Sequence, residues 1–353
     1  MPIIIVLTIA FLLNVFLTPI LIRLSRHKGW FDRSDKRKIH NGNIPRIGGI
    51  GIAGSFYITL VLAALIFPFS NPIGTSRLVA ACAGSLLMFG TGLLDDFKNI
   101  RARYKLLLQI IAAGIAVAGG LRFGQFATPF GFNINIPIFS IFLTLLWIVG
   151  VTNAVNLIDG MDGLAGGISA IASGFWLLIL IPRISGNLNT LPHLYLIPAA
   201  LLGSLIGFLV YNKPPASIFM GDSGSLVLGY LLSLFPFFQI QKTGSTRWLF
   251  IGVTLLLVPI LDTLTAILRR IREKRSIGEP DRSHIHHKLL DLGWTVPRII
   301  RMLYGFSIFS GCAAFLWTAF PALFPIFLLP VAWIPTVALF LVIHFKNMGL
   351  KQL

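Results

Sequence analysis

Long apolar runs alternate with short polar segments along almost the whole chain. Runs of about 17–23 residues can each cross a bilayer as one helix. They lie near 2–24, 47–69, 78–94, 104–120, 134–151, 163–181, 194–211, 223–240, 248–268, 299–318 and 322–345. The pattern predicts an all-α, polytopic integral membrane protein with about eleven transmembrane helices, or ten. We expect residues 1–353 to form a single polytopic transmembrane domain, because no repeat or low-complexity tract interrupts the series.

The composition agrees with this class. Hydrophobic residues make up 56% of the 353 positions and charged residues 12%, and the mean hydropathy is +0.84. A soluble domain carries about twice that charged fraction. The lipid bilayer is therefore the expected surrounding of most of the chain.

The net charge of +17 is distributed unevenly. Most of the 29 Lys and Arg residues fall in segments that eleven spans place on one face, and the exceptions are Arg77, Arg122, Arg183, Lys242 and Arg247. The positive-inside rule makes the basic face cytoplasmic and places the N-terminus outside. Such placement argues against nucleic acid as a partner. All twelve acids map to the same face, which suggests a divalent metal site for an anionic substrate.

Residues 152–163, TNAVNLIDGMDG, carry four polar side chains at three-residue spacing: Asn153, Asn156, Asp159 and Asp162. Ionisable residues beside apolar spans are by default functional. A helix brings positions three apart towards one face, and a tight glycine turn would also gather them. The structural alternative is a capping loop, with Asp162 as the N-cap of the next helix.

Two further acidic motifs lie at predicted span ends. Asp95 and Asp96 end the third span, where the helix dipole disfavours acids, so we expect a functional role. Asp222 lies in FMGDSGS, at the start of the eighth span. Backbone N–H groups at a helix start suit phosphate, a carboxylate there can hold Mg²⁺, and Phe219 could stack on a base. A simple helix cap at Asp222 or Ser223 is the alternative.

The last long loop contains DRSHIHHK, with Arg282, His284, His286 and His287. Such groups bind anionic oxygens or move protons. A zinc site is the weaker interpretation, because no Cys or HExxH pattern accompanies the histidines. Asp262, inside the ninth span, is either a paired structural acid or part of the site.

The first basic loop, 25–46, contains Lys38, His40 and Arg46. It is either a patch for anionic lipid headgroups or a phosphate-binding entry to the site. The sequence leaves the two interpretations equal.

Five motifs together resemble the polyprenyl-phosphate N-acetylhexosamine-1-phosphate transferases, the family of the MraY-type and WecA/TagO-type enzymes. The motifs are PRIGG at 45–49, LLDD at 93–96, NAVNLIDGMDGLAGG at 153–167, FMGDSGSLVLG at 219–229 and DRSHIHHKLLDLG at 281–293. They follow the family order over nearly the whole chain.

The resemblance implies transfer of a sugar-1-phosphate from a UDP-sugar to undecaprenyl or another polyprenyl phosphate, with release of UMP. It implies Mg²⁺, or Mn²⁺, as cofactor, a multi-pass protein of the inner or plasma membrane, and a cytoplasmic active site for the first membrane step of cell-envelope glycan synthesis. The HIHH form resembles the WecA/TagO branch, whose usual donor is UDP-GlcNAc. An MraY-like donor with a muramyl pentapeptide is the alternative, and a homodimer stays open.

The resemblance also implies residue roles. Asp222, together with Asn156, would bind the metal, and Phe219 would stack on uracil. The catalytic candidates are Asp95, Asp96, Asp159, Asp162 and His284, with one acid of the Asp95–Asp96 pair as base. The other substrate contacts would come from Asn153, Asn156, Arg282, His286, His287, Lys38, His40 and Arg46.

Two rival functions also use membrane acids. A cation-coupled transporter would show polar residues at span centres and a repeat between its halves, whereas the charged positions here lie at one face. A phosphotransferase for CDP-activated alcohols would show a DG-x₂-AR run, which is absent from the sequence.

Overall fold

The computed structural model describes residues 2–31, 44–67, 74–123, 126–127, 133–134, 136–181, 193–243, 247–274, 284–319 and 328–350. Within these ranges the chain forms α1 (Pro2–Lys28), α2 (Gly48–Ile66), α3 (Thr75–Lys98), α4 (Ala102–Ala118), α5 (Pro137–Ile158), α6 (Leu164–Leu180), α7 (His193–Asn212), α8 (Gly221–Thr243), α9 (Arg247–Leu255), α10 (Leu257–Arg272), α11 (Ile285–Asp291), α12 (Val296–Ala319) and α13 (Leu328–Leu350). An antiparallel pair of two-residue strands, β1 (Phe126–Ala127) and β2 (Asn133–Ile134), joins α4 to α5. Lys38, His40 and Arg282 lie outside the described residues.

The predicted all-α, polytopic class is confirmed. Ten of the predicted apolar runs each coincide with one helix, and the run at 248–268 coincides with α9 and α10. In the described part of the chain, seven helices are long and apolar enough to cross a membrane, or eight if the bent α9–α10 pair is one span. The number of eleven spans and the orientation therefore stay predictions.

The ninth span is not the continuous helix that the apolar run predicts. The axes of α9 and α10 differ by 81°, and the break lies at Leu256. Pro259 follows three residues later and explains the break, because its ring clashes with the carbonyl four residues earlier, that of Leu255, and it has no N–H to donate. The bend places α10 at a steep angle to α9.

α8 is the central helix of the bundle. Its segment Gly221–Ile240 is completely buried, among α2, α3, α5, α6 and α9. Glycines allow this approach: a Cβ on Gly92 of α3 would lie 2.3 Å from Ser223 Cα, and one on Gly49 of α2 would lie 2.2 Å from Gly224 N. Gly92 and Gly49 thus allow α3 and α2 to pack closely against the GDSGS segment of α8, as small residues do in membrane bundles.

Candidate active site

Polar residues from four chain segments meet at the first turn of α8, and Lys105 of α4 joins them. Arg46 precedes α2, Asp95 and Asp96 lie in the last turn of α3, and Asn156 lies in the last turn of α5. Asp222 lies in the first turn of α8 and is buried, with 6% of its surface exposed. The structure therefore brings four of the five sequence motifs into one cluster, as predicted.

The PRIGG and FMGDSG motifs are joined through their backbones. The Phe219 N–H donates to the Pro45 carbonyl at 2.8 Å, and the Gly48 and Gly49 N–H groups donate to the carbonyls of Phe219 and Met220 at 2.9 and 2.7 Å. This pairing places Arg46 beside α8. Phe219 is half-buried next to the cluster, and its contact with uracil stays a prediction.

Asp96 caps the N-terminus of α8 from the neighbouring helix. Its Oδ1 and Oδ2 accept hydrogen bonds from the backbone N–H groups of Asp222 and Ser223, at 2.7 and 3.0 Å. A carboxylate is favourable at a helix N-terminus. This contact with α8 explains why Asp96 is an acid although it lies at the C-terminus of α3, where the dipole of α3 disfavours a negative charge. The cap of α8 thus comes from Asp96, and these two N–H groups bind a carboxylate where the sequence suggested a phosphate.

Asp95 closes the end of α3 and also forms an ion pair. Its Oδ1 accepts a hydrogen bond from the Ile100 N–H at 2.9 Å, and its Oδ2 lies 3.3 Å from Lys105 Nζ. Both oxygens of Asp95 are therefore engaged in the structure.

Lys105, in the first turn of α4, lies at the centre of the cluster. Its ammonium contacts Asp95 Oδ2 at 3.3 Å and Asn156 Oδ1 at 3.4 Å, and it pairs with Asp222 Oδ2. From the sequence alone, Lys105 is one of the cations of the basic face. The available signal was a cation at the point where α4 becomes apolar, one turn before the polar Gln109.

Arg46 bridges two of the acids. Its Nη2 donates to Asp222 Oδ1 at 2.8 Å, and its Nε lies 3.6 Å from Asp96 Oδ1. The Arg46 side chain is 35% exposed, so part of the guanidinium can still contact a ligand.

The two asparagines of α5 have different surroundings. Asn156 donates to Ser225 Oγ at 2.8 Å and to Asp222 Oδ1 at 3.3 Å, so it belongs to the cluster. Asn153 donates to Gln109 Oε1 at 2.6 Å and accepts from Gln109 Nε2 at 3.3 Å. The Asn153–Gln109 pair joins α5 to α4, and a substrate contact of Asn153 stays a prediction.

Asp159 and Asp162 both follow α5, but their carboxylates have different surroundings. Burial raises the pKa of Asp159 to about 7, against the opposing charge of Arg46 and with added repulsion from Asp96 and Asp162. No donor in the described part of the chain hydrogen-bonds its carboxylate. Asp162 is buried and its Oδ2 accepts from the Ala216 N–H at 2.9 Å.

Asp162 is not the N-cap of α6. That position is Gly163, in the left-handed conformation with φ 76°. Its carbonyl accepts a hydrogen bond from Tyr304 Oη at 2.6 Å. Asp162 instead holds the segment between α7 and α8, and its catalytic role stays a prediction.

The histidine motif packs against the turn that carries Asp159. His286 is buried, and a Cβ on Gly160 would lie 2.4 Å from His286 Nε2. Burial, with the neighbouring His287, lowers the pKa of His286 to about 3, so this imidazole is neutral. Its ring lies parallel to that of His284, with centroids 5.9 Å apart, and 4.3 Å from that of His287.

The oxygens around Lys105 are suited to a magnesium ion. In the described ranges, no group of three or more His, Cys, Asp or Glu residues could hold a metal. Magnesium, however, prefers oxygen ligands, keeps several waters and needs only one or two carboxylates. Two carboxylates and one amide oxygen, from Asp222, Asp95 and Asn156, already surround a single cationic atom. The donor set therefore fits the ion.

Comparisons with known proteins agree with the motifs. Residues 78–238 match the family model described as Glycosyl transferase family 4. The chain is 37% identical to a Bacillus subtilis protein named "Probable undecaprenyl-phosphate N-acetylglucosaminyl 1-phosphate transferase", over 91% of this chain and 87% of that protein.

Two other relatives are similar over most of their lengths. A Mycobacterium leprae protein named "Decaprenyl-phosphate N-acetylglucosaminephosphotransferase" is 34% identical over 79% of this chain and 74% of that protein. A Thermotoga petrophila protein named "Phospho-N-acetylmuramoyl-pentapeptide-transferase" is 32% identical over 85% of this chain and 95% of that protein. With this similarity over nearly its whole length, the chain belongs to glycosyl transferase family 4, the polyprenyl-phosphate N-acetylhexosamine-1-phosphate transferases.

Proposed function

We propose that the protein transfers GlcNAc-1-phosphate from UDP-GlcNAc to a polyprenyl phosphate such as undecaprenyl phosphate and releases UMP. The product, a polyprenyl-diphosphate-GlcNAc, would begin a cell-envelope glycan. The observation that carries the proposal is the cluster in which Asp95, Asn156 and Asp222 surround Lys105. It lies in a chain whose relatives bear names for this reaction.

The reaction joins two anions, so positioning and charge neutralisation must supply most of the catalysis. Arg46 and Lys105 are the cations of the cluster. Arg46 directs its Nε and Nη2 groups towards the acids and remains partly exposed, and a guanidinium is suited to bidentate binding of phosphate oxygens. Lys105 provides a point charge beside the same oxygens.

We assign the metal site to Asp222 and Asn156, with Asp95 as a third oxygen donor. When bound there, Mg²⁺ or Mn²⁺ would neutralise charge on the donor diphosphate and on the departing UMP. These oxygens hold the Lys105 ammonium in the present structure. With those oxygens bound to a divalent ion, the Lys105 ammonium would be available for phosphate oxygens.

Among the acids, Asp159 is best suited to accept a proton. Asp96 binds two backbone N–H groups and Asp95 binds Ile100 and Lys105, whereas the described residues donate no hydrogen bond to Asp159. Its pKa of about 7 allows both protonation states near neutral pH. A phosphomonoester has a second pKa of about 6, so the acceptor is largely ionised and the base assists rather than drives attack.

The cytoplasmic face is the proposed location of the site. Its residues lie at the helix ends nearest to the basic segments, and the positive-inside rule places such segments in the cytoplasm. A nucleotide donor would arrive from water there, while the lipid tail of the acceptor stays in the bilayer. The basic segments would raise the local concentration of both anions.

UDP-GlcNAc is the donor that we favour over UDP-MurNAc-pentapeptide. The chain has HIHH at 284–287 rather than an unbroken run of three histidines. Its identity is 37% to the relative named for a GlcNAc-1-phosphate transferase and 32% to the relative named for a muramoyl-pentapeptide transferase.

A transfer assay with radiolabelled donor tests the proposal. Purified protein in detergent, undecaprenyl phosphate, MgCl₂ and UDP-GlcNAc should give labelled lipid, and EDTA should abolish the labelling. Asp222→Asn should lower the rate by about 100-fold or more, because the site loses a charged metal ligand. Asp291→Asn, the same change at an exposed acid of α11, is the matched control and should stay within about twofold.

The donor is decided in the same assay. If only UDP-MurNAc-pentapeptide or another UDP-HexNAc labels the lipid, that nucleotide sugar is the donor and not UDP-GlcNAc. If every UDP-sugar fails while the protein remains folded, the transferase proposal is wrong and a transport function has to be considered.

A further inference from the structure

Asp262, on α10, is a buried acid that the proposed chemistry does not use. Its residue is 1% exposed, and both carboxylate oxygens contact the beginning of α11. Oδ2 lies 2.8 Å from His284 Nδ1, and Oδ1 accepts a hydrogen bond from the Ile285 N–H at 2.7 Å. One carboxylate therefore binds both the side chain and the backbone at the histidine motif.

These contacts determine which imidazole nitrogen is available. A carboxylate only accepts hydrogen bonds, so the Nδ1 atom of His284 carries the proton that it donates to Asp262. The other ring nitrogen, Nε2, is left for a ligand. Hydrogen bonding at one nitrogen is the usual way in which proteins fix the tautomer and the ring orientation of a functional histidine.

The bend between α9 and α10 places the carboxylate. Asp262 lies one turn after Pro259, on the buried side of α10 that also includes Thr263 and Ala266. The opposite side, with Leu264 and Leu268, is exposed. A helix that continued straight from α9 would direct this turn elsewhere, so the 81° bend determines where His284 is held.

We propose that Asp262 is a positioning residue that acts through His284. It anchors the start of α11 through Oδ1 and holds the His284 ring through Oδ2, so that Nε2 faces the phosphate oxygens of the donor. The part that concerns the donor rests on the proposed function. The anchoring of α11 does not depend on it.

Two substitutions separate the two contacts. Asp262→Asn keeps an oxygen for the Ile285 N–H but presents an NH₂ group to Nδ1, which forces the opposite tautomer on His284. Asp262→Ala removes both contacts. Leu264→Ala, on the exposed side of the same helix, is the matched control.

Transfer kinetics measure the contact with His284. We expect Asp262→Asn to lower kcat by about 10- to 100-fold, the usual effect of losing the partner that orients a functional histidine. The melting temperature should stay close to that of the Leu264→Ala control. In a His284→Ala background, Asp262→Asn should change kcat by less than about twofold, because a residue that acts through His284 has nothing left to orient.

Amide hydrogen exchange measures the anchoring without any substrate. Asp262→Ala should speed exchange across residues 285–288, and Asp262→Asn should leave it near the wild-type rate. Full activity of Asp262→Asn, or an equal loss with and without His284, would overturn the orienting role. Unchanged exchange in Asp262→Ala would overturn the anchoring. If the wild type transfers nothing, the proposed function fails, and the exchange experiment still decides whether Asp262 holds α11.

Discussion

Replacing Gly92 by alanine should damage the site although Gly92 has no side chain that could take part in catalysis. A Cβ at this position of α3 would lie 2.3 Å from Ser223 Cα, and 2.4 Å from both Asp222 O and Ser223 N. Ordinary contacts begin at 3.4 Å, so α3 and the first turn of α8 would have to separate by about 1 Å. All three atoms belong to the backbone, and no side-chain rotation can relieve the clash.

The energetic cost follows from what that separation breaks. Overpacking a close contact costs about 1–3 kcal/mol. Asp96 lies four residues after Gly92 on the same face of α3, so its bonds to the N–H groups of Asp222 and Ser223, now 2.7 and 3.0 Å, would lengthen. Loss of one hydrogen bond to a charged carboxylate costs a further amount of about 1.5–3 kcal/mol. We therefore expect a destabilisation of about 2.5–6 kcal/mol.

Gly90 provides the matched control, because it lies on the same helix and a Cβ there has nothing within 4 Å. The measurements are the melting temperature in detergent and the initial rate of lipid labelling. Gly92→Ala should melt several degrees lower and transfer about 100-fold more slowly, since a displacement of about 1 Å at an active site has this effect. Gly90→Ala should match the wild type. If the two variants behave alike, backbone contact between α3 and α8 does not position Asp222, and the reasoning fails.

Four further predictions concern single residues. Lys105→Met removes the ammonium from the oxygens of the proposed metal site. Mn²⁺ binding, measured by electron paramagnetic resonance, should therefore tighten by at least about tenfold, while the rate of transfer falls. Weaker Mn²⁺ binding would contradict the inference that the lysine and the metal ion use the same oxygens. Because the pKa of Asp159 is raised to about 7, kcat/KM should rise as the pH increases through about 7. In Asp159→Asn the pH profile should show only the titration of the lipid phosphate, at about pH 6. If kcat/KM of Asp159→Asn still rises through about pH 7, Asp159 is not the base. The same raised pKa means that ionisation of Asp159 opposes folding, so stability should fall between about pH 4 and pH 7 in the wild type and less in Asp159→Asn. Gly160→Ala should displace His286 and slow transfer, whereas Gly305→Ala, at an open position, should not; equal activity of the two would show that α11 tolerates the displacement.

The sequence is sufficient to predict the positions of the helices, but it does not predict the bend between α9 and α10. Apolar runs identify membrane helices because a spanning segment must satisfy its backbone internally. A proline inside such a run does not by itself predict a break. Pro19 and Pro236 lie inside the long helices α1 and α8, while Pro259 follows a break of 81°. Packing around each proline decides between these outcomes, and the local sequence does not contain it.

Motif spacing predicted which acids and amides meet, but not what each one binds. Asp95 and Asp96 are adjacent in sequence, yet one contacts Lys105 and the other caps α8. The pairing depends on which helix lies next to α3, information that only the fold supplies. Lys105 was missed for the same reason, since a cation at a membrane boundary is common and only its three oxygen neighbours distinguish it.

The charges of the cluster explain why the proposed reaction should depend on a divalent cation. Asp95, Asp96 and Asp222 face Arg46 and Lys105, so three formal negative charges meet two positive ones. A diphosphate that approached this site alone would meet a net negative charge. A divalent cation held by the oxygens of Asp222 and Asp95 would reverse the sign of the net charge, and the Lys105 ammonium could then contact the substrate. Without substrates, the Lys105 ammonium adds a second cation to the Arg46 pair of Asp222 and is the ion-pair partner of Asp95; its removal would leave these carboxylates less compensated, at an energetic cost. We infer that Lys105 pairs with the acids when the site holds no ligand, and that Asp222, Asp95 and Asn156 would hold a divalent ion whose charge would allow the site to bind an anion.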